Sequence, residues 1–142
     1  MDDLELLHDD HSLLSSQVVH VTTLIKSLGD GQSPAVSLFS EVLRQMEILR
    51  QQLLEHFAFE EEEAFPRLDD KYPTLRTKLQ QLSDQHENVL VAFEELRSVL
   101  WAESKGLSAP DAAIRCDSFE SAFAQHAAEE TEMLRELTST TP

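Results

Sequence analysis

Apolar residues recur along the chain at alternating intervals of three and four positions, in four segments at about 3–28, 34–64, 74–104 and 110–137. This spacing places apolar side chains on one stripe of an α-helix, the stripe that faces inward in a bundle. The segments are separated by turn-forming stretches, GDGQSP at 29–34, FPRLDDKYP at 65–73 and KGLSAPD at 105–111. The pattern predicts an all-α protein, an antiparallel up-down-up-down four-helix bundle, formed by a single domain over residues 1–142. The apolar stripe positions are Leu4, Leu7, Leu14, Val18, Val21, Ile25 and Leu28, then Phe39, Val42, Met46, Leu49 and Leu53, then Leu75, Leu79, Leu82, Val89, Phe93, Leu96 and Leu100, and finally Ala112, Cys116, Phe119, Phe123, Met133 and Leu137.

Each stripe is interrupted by polar residues, and the interruptions are histidine or glutamate. One histidine falls on each stripe, and two of these histidines are followed by a glutamate at i+4. At about 1.5 Å of rise per residue, counted from the connecting loops, the four histidines reach a similar level of the bundle. An uncompensated buried carboxylate is too costly to keep, so these groups are expected to contact one another or a shared ligand. The interrupting residues are His11, His56, Glu60, His86, His126 and Glu130.

The chemistry of these side chains favours a metal site. Imidazole nitrogen and carboxylate oxygen suit iron, manganese or zinc, and an i, i+4 pair places histidine and glutamate on one helix face. Four imidazoles and two carboxylates are too many donors for one tetrahedral ion, and they are a natural set for two ions bridged by two carboxylates. The alternative is a buried polar network without metal. The common level of the four histidines favours the metal.

The composition and charge of the chain limit its possible partners and its location. The net charge is −16, from 27 acidic and 11 basic residues, so the surface repels phosphate backbones and anionic lipid; we expect neither a nucleic-acid nor a membrane partner. No apolar run approaches the length of a bilayer-spanning helix. Cys116 is the single cysteine and cannot form an internal disulfide. The chain opens without a basic segment or an apolar signal region, which predicts a cytoplasmic location.

The order of these motifs resembles the hemerythrin-like family, also called the HHE cation-binding domain, over essentially the whole chain. The resemblance implies a non-haem di-iron centre inside a four-helix bundle. It implies that His11 and His56 bind one iron, that His86 and His126 bind the other, and that Glu60 and Glu130 bridge them. Zinc and manganese are the expected substitutes for iron. The residues that carry the resemblance are Asp10-His11, His56-Phe57-Ala58-Phe59-Glu60-Glu61 running on to Phe65-Pro66, His86, and His126 with Glu129-Glu130.

Two positions depart from the oxygen-carrying hemerythrins. Those proteins have a second histidine four residues after the third-helix histidine, where this chain has Leu90, and an aspartate at i+5 in the fourth helix, where it has Thr131. The chain is more similar to the subgroup with the order His, His-x-x-x-Glu, His, His-x-x-x-Glu. We therefore expect a di-iron protein that reacts with or senses oxygen, peroxide or nitric oxide rather than a reversible oxygen carrier. The alternatives are an iron-responsive regulatory module, whose metal occupancy controls fold stability and partner recognition, and a structural bundle with an incidental site.

Three further residues lie close to the expected ligands. His8 precedes His11 by about one turn but falls off the stripe, so it is a further ligand, a residue that contacts a ligand, or a surface histidine. Glu61 and Glu129 neighbour the expected bridging glutamates. They are either additional ligands, proton carriers or solvated members of a charge run. The sequence indicates no particular protein partner.

Overall fold

The computed structural model describes residues 3–27, 36–105 and 112–139, and the regular structure in these ranges is helical throughout. The helices are α1 (Asp3–Ser27), α2 (Val36–Phe59), α3 (Phe65–Lys71), α4 (Arg76–Ser104) and α5 (Ala112–Ser139). A π-helical turn, Glu60–Ala64, joins α2 to α3, and a short 3-10 turn, Pro73–Leu75, precedes α4. The all-α prediction is confirmed for these ranges. The predicted turn at 29–34, and the one at 105–111 apart from Lys105, lie outside the described residues.

The second segment is longer than the sequence predicts, because the helix continues through Phe65 and Pro66. Proline lacks an amide hydrogen and its ring clashes with the carbonyl group four residues earlier, which normally kinks or ends a helix. Here the wider π-helical turn accommodates it, with the Phe65 N–H donating to the Glu60 carbonyl oxygen. The helix ends instead at Lys71, and Tyr72 leaves the helical conformation with φ −133° and ψ 76°. Pro73 follows, and a proline disfavours the α conformation in the residue before it.

Each long helix packs against two others. Helix α1 contacts α2 and α5, and α4 contacts the same two helices. This arrangement is that of a helical bundle, while the up-down alternation of the helices and the single domain over residues 1–142 stay predictions. A bilayer-spanning helix needs about 20 mainly apolar residues, and no helix within the described ranges offers such a stretch.

The apolar stripes form the core. Every stripe residue whose side chain is described is buried, except Phe39, Leu75 and Ala112, which are half-buried near helix ends. The pattern missed the buried residues of α3 because it predicts a turn at 65–73, and it also missed three residues beside the stripes of α1, α2 and α5. The buried residues outside the predicted stripes are Thr22, Phe57, Ala64, Phe65, Leu68 and Leu134.

The core is divided into two apolar clusters with a polar layer between them. On α4, Leu82 belongs to one cluster and Val89 to the other, with His86 between them. On α5, Phe123 and Met133 belong to different clusters, with His126 and Glu130 between them. The larger cluster contains Leu14, Val18, Val21, Ile25, Val42, Met46, Leu49, Leu53, Phe57, Val89, Phe93, Leu96, Leu100, Cys116, Phe119 and Phe123. The smaller cluster contains Ala64, Phe65, Leu68, Leu79, Leu82, Met133, Leu134 and Leu137.

Candidate metal centre

The six side chains that interrupt the apolar stripes are all buried in one layer. They come from every long helix: α1 supplies one histidine, α2 and the π-helical turn a histidine and a glutamate, α4 one histidine, and α5 a histidine and a glutamate. Among the described residues, Thr22 is the only other buried polar side chain. The exposed fractions are 7% for His11, 4% for His56, 0% for Glu60, 3% for His86, 1% for His126 and 0% for Glu130.

Glu60 lies at the centre of this layer. Its Oε1 atom is 2.8 Å from Nε2 of His86 and 3.4 Å from Nε2 of His56. The same oxygen is 3.7 Å from Nε2 of His126. One carboxylate oxygen therefore faces imidazoles from three helices, and each of these imidazoles presents its Nε2 atom. This convergence of nitrogen atoms on one oxygen is the arrangement expected around a shared cation.

Glu130 lies on the other side of the layer and uses both of its oxygen atoms. Its Oε1 atom is 3.5 Å from Nδ1 of His11, and its Oε2 atom is 3.2 Å from Nε2 of His126. The two oxygens thus face helices α1 and α5 separately. A carboxylate with one oxygen toward each of two imidazoles has the orientation of a bridging ligand.

The histidines form two neighbouring pairs. The ring centroids of His11 and His56 are 5.9 Å apart, and those of His86 and His126 are 4.8 Å apart. These are the pairs that the family resemblance assigns to separate irons. Glu60 contacts His56 of the first pair and both members of the second, and Glu130 contacts one member of each pair. Both glutamates therefore lie between the pairs.

The spacing of the donor atoms fits metal ions. Two groups of three side chains offer ligand atoms that all lie within 4.8 Å of one another. One group is Glu60, His86 and His126, and the other is His56, Glu60 and Glu130. Glu60 belongs to both groups, so the geometry provides two adjacent positions with a shared carboxylate.

Hydrogen bonding within the described part of the chain leaves much of this layer unsatisfied. No hydrogen bond reaches Glu60 Oε2, either carboxylate oxygen of Glu130, Nδ1 of His86 or Nε2 of His126, and all of these atoms are buried. An unsatisfied buried polar group costs about 1–3 kcal/mol, and native proteins keep few of them. A bound cation would accept lone pairs from the carboxylate oxygens and from Nε2 of His126. The residues present therefore fit a metal centre.

The charges of the layer are tightly linked. Burial by itself raises the pKa of Glu60, but the neighbouring imidazoles of His126, His56 and His86 outweigh burial and hold the pKa well below its usual range. Burial, together with the neighbouring Glu60 charge, raises the pKa of Glu130 to about 8. Burial lowers the pKa of His126, but Glu130 and Glu60 outweigh it and raise the pKa to about 9. Two adjacent buried carboxylates cannot both ionise easily without a cation, and this contributes to the opposite shifts of their pKa values.

Aromatic rings enclose the layer. The ring of Phe57 stacks on His86 at 4.0 Å between centroids, and its edge faces His126 at 5.7 Å. Phe65 stacks against the His86 ring at 6.0 Å, and Phe123 meets His11 edge-on at 6.2 Å. These rings and the two apolar clusters keep water from the donor atoms, which strengthens every electrostatic interaction among them.

A surface groove borders the site beside His86. The groove has a volume of about 730 Å³ and runs along α4, and its lining includes His86, Glu61 and Leu90. The side chain of Glu61 is 48% exposed, and its Oε2 atom is 3.7 Å from Nδ1 of His86. Glu61 therefore lies at the edge of the site rather than within the buried layer.

The structure separates Glu129 from the candidate ligands. Its carboxylate accepts hydrogen bonds from Lys78 at 2.7 Å and from Gln85 at 2.8 Å. These bonds, that from Lys78 first, lower the pKa of Glu129. Glu129 is thus half-buried in a hydrogen-bonded network between α4 and α5, and is neither freely solvated nor part of the buried layer. The side chain of His8 lies outside the described part of the structure.

Sequence reasoning missed Gln85, which contacts a candidate ligand directly. Its Oε1 atom is 2.9 Å from Nδ1 of His126. Gln85 lies off the apolar stripe of α4, and its partner is on α5, 41 positions along the chain. No pattern within a single helix could indicate this contact.

The comparison with protein families agrees with the site. Residues 2–137 match the hemerythrin HHE cation-binding domain. The chain therefore belongs to the hemerythrin family, and the resemblance seen in its motifs is confirmed. Cation binding is the property that defines this domain. No curated protein and no solved structure matches the chain.

Proposed function

We propose that the chain is a non-haem di-iron protein with a carboxylate-bridged centre, which reacts with or senses oxygen, peroxide or nitric oxide. His11 and His56 would hold one iron, His86 and His126 the other, and Glu60 and Glu130 would bridge them. The observation that carries this proposal is that both glutamates contact both histidine pairs within one buried layer. Zinc and manganese suit the same donors and are the expected substitutes.

The number of donors supports a reactive centre. Two histidines and two shared carboxylates give each ion about four protein donors, fewer than the five or six that iron commonly takes. Iron bound there would supply a redox-active centre with coordination positions left for a small ligand. Leu90, one turn after His86, is half-buried against the larger apolar cluster and adds no donor to the His86–His126 pair.

The surrounding residues suit a small ligand. Phe57, Phe65 and Phe123 line the layer and exclude bulk water, while the groove along α4 comes within one side chain of the site at His86. A diatomic molecule or peroxide suits so small and enclosed a site.

A second candidate function is an iron-responsive regulatory module. The observation that favours it is the set of buried donor atoms without hydrogen bonds, because they destabilise the metal-free fold. Metal binding and folding would then be linked, and a partner could recognise the metal-stabilised form. In this case the signal would be whether metal is bound at the site, and not a reaction with a small molecule.

The experiment that tests the first proposal loads the protein with iron(II) without air and then adds oxygen, peroxide or nitric oxide in separate samples. We expect a change in the visible spectrum with at least one of the three. Glu130→Ala, loaded in the same way, is the control for iron bound elsewhere on the acidic surface. Full iron loading with an unchanged spectrum in all three samples would contradict the reactive centre and favour the regulatory module.

A further inference from the structure

Gln85 on α4 lies between a candidate ligand and a surface carboxylate. Its Oε1 atom is 2.9 Å from Nδ1 of His126, and its Nε2 atom donates to Oε2 of Glu129 at 2.8 Å. His126 and Glu129 are both on α5. The amide group of Gln85 therefore connects two residues of the neighbouring helix, one through its oxygen atom and one through its nitrogen atom.

The carboxylate fixes the direction of this chain of hydrogen bonds. The orientation of a glutamine amide and the tautomer of a histidine are normally ambiguous, because they depend on the surrounding hydrogen bonds. An ionised carboxylate only accepts hydrogen bonds, so the NH₂ group of Gln85 must face Glu129. Its carbonyl oxygen then faces His126, and Nδ1 of His126 must carry the proton that it donates.

Glu129 is itself held in place. Lys78 donates to its Oε1 atom at 2.7 Å and Gln81 donates to the same oxygen at 3.1 Å. Gln125 adds a longer hydrogen bond of 3.4 Å to Oε2. With donors on both α4 and α5, the carboxylate has little freedom to turn away from Gln85.

We propose that Gln85 is a positioning residue that fixes the ring of His126 for metal binding, a role that rests on the proposed metal centre. With a proton held on Nδ1, Nε2 is the nitrogen of His126 whose lone pair can bind a metal, which displaces any proton there. That atom lies 3.2 Å from Glu130 Oε2 and 3.7 Å from Glu60 Oε1. Histidine ligands generally donate their second ring N–H to such a partner, which fixes the tautomer and raises the basicity of the ligand.

The first test removes the acceptor with Gln85→Leu and measures the affinity for cobalt(II), used as a probe metal in competition with a coloured chelator. Loss of such a partner typically weakens metal binding by about 10- to 100-fold, and we expect a decrease in this range. Gln80→Leu is the matched control, because Gln80 is on the same helix and its amide donates to Asp84 on the exposed face. It is expected to leave the affinity unchanged.

The second test follows the proton of His126 directly. In the cobalt(II) protein, imidazole N–H protons appear as strongly shifted NMR signals that exchange with water. We expect one slowly exchanging signal in the wild type that exchanges much faster in Gln85→Leu, and that is unaffected by Gln80→Leu. A general loss of stability would affect all such signals together, so a selective change identifies the hydrogen bond.

A rescue experiment distinguishes loss of the hydrogen bond from loss of packing. It also tests the proposal if Gln85→Leu does not fold. Gln85→Glu keeps an acceptor for His126 but places a carboxylate against Glu129, so it is expected to bind cobalt(II) more weakly than wild type. Combining it with Glu129→Gln restores a donor at position 129 and is expected to recover most of the affinity and the slow exchange.

The outcomes are distinguishable. Wild-type affinity and slow exchange in Gln85→Leu would overturn the role of Gln85 while leaving the metal centre intact. Failure of the exchanged pair to recover either property, in a folded protein, would also overturn it. A wild-type protein that binds no cobalt(II) and no iron would instead contradict the metal centre itself, and the role of Gln85 with it.

Discussion

The Nε2 atom of His86 lies 2.8 Å from Oε1 of Glu60, although 26 positions of the chain separate the two residues. The contact joins α4 to the π-helical turn that follows α2, and both side chains are buried. Neither residue could be buried alone at an acceptable cost. The contact therefore forms only when the bundle is assembled, which links the candidate site to the stability of the whole fold.

Metal removal is expected to lower the melting temperature strongly, because buried donor atoms then lose their partner. At free metal about 1,000 times the dissociation constant, binding to the native state adds about 4 kcal/mol. At roughly 2–4 °C per kcal/mol for a chain of this size, the shift is on the order of 10 °C. Calorimetry of iron-loaded and chelator-treated protein measures it, and equal melting temperatures would refute the linkage.

The two glutamates are expected to be required for metal loading. Glu60→Ala and Glu130→Ala each remove a carboxylate that lies between the histidine pairs, so each variant should lose most of its bound iron. His20→Ala is the control, because His20 is exposed on α1. Elemental analysis of the three variants after identical loading checks this. Equal iron content in all of them would show that the assignment of ligands is wrong.

The stripe pattern predicts most of this layer, because burial of a histidine or glutamate in a regular helix shows directly in the spacing. His11, His56, His86 and His126 all reach the layer for that reason. The path of the chain beyond Glu60 could not be predicted, since a proline signal such as Pro66 normally ends a helix and a π-helical turn has no clear sequence mark.

Contacts between helices could not be predicted from the sequence either. Phe57 lies one position after His56, off the stripe, yet its ring stacks on His86 of another helix. The partner of Gln85 likewise depends on how α4 and α5 pack. Such contacts arise from tertiary packing and leave no periodic signal within one helix.

Cys116 is expected to react slowly with thiol reagents. Its side chain is buried, and burial first, then the neighbouring Glu120 carboxylate, raise the pKa of the thiol to about 11. The reactive thiolate is therefore scarce at pH 8 and increases as the pH rises toward the pKa. The rate of reaction with a coloured disulfide reagent should be much lower in the native protein than in denaturant. Comparable rates in both conditions would contradict the buried, protonated thiol.

Replacing Leu90 is expected to change how the reduced protein responds to oxygen. Leu90 lies one turn after His86 and borders the groove, so the wild type lacks a third histidine on this side and should be oxidised by air without recovery. Leu90→His adds a donor beside His86 and should make part of the oxygen uptake reversible under vacuum. The spectrum of iron(II) protein, followed through cycles of air and vacuum, measures this.

The control for that variant is Val91→His, because Val91 is the next residue on α4 and is exposed. It adds a histidine to the same helix without bringing it to the buried layer, so its oxidation should match that of the wild type. Oxygen uptake that is fully reversible in the wild type would contradict the expectation and indicate an oxygen carrier.

The central claim is that two irons share the carboxylates of Glu60 and Glu130. Its most direct test is elemental analysis of iron per chain, after anaerobic loading with iron(II) and removal of loosely bound metal by gel filtration. The layer offers two groups of donor atoms that share Glu60, so we predict two irons per chain in the wild type. A value of one or fewer in correctly folded protein would contradict the bridged centre.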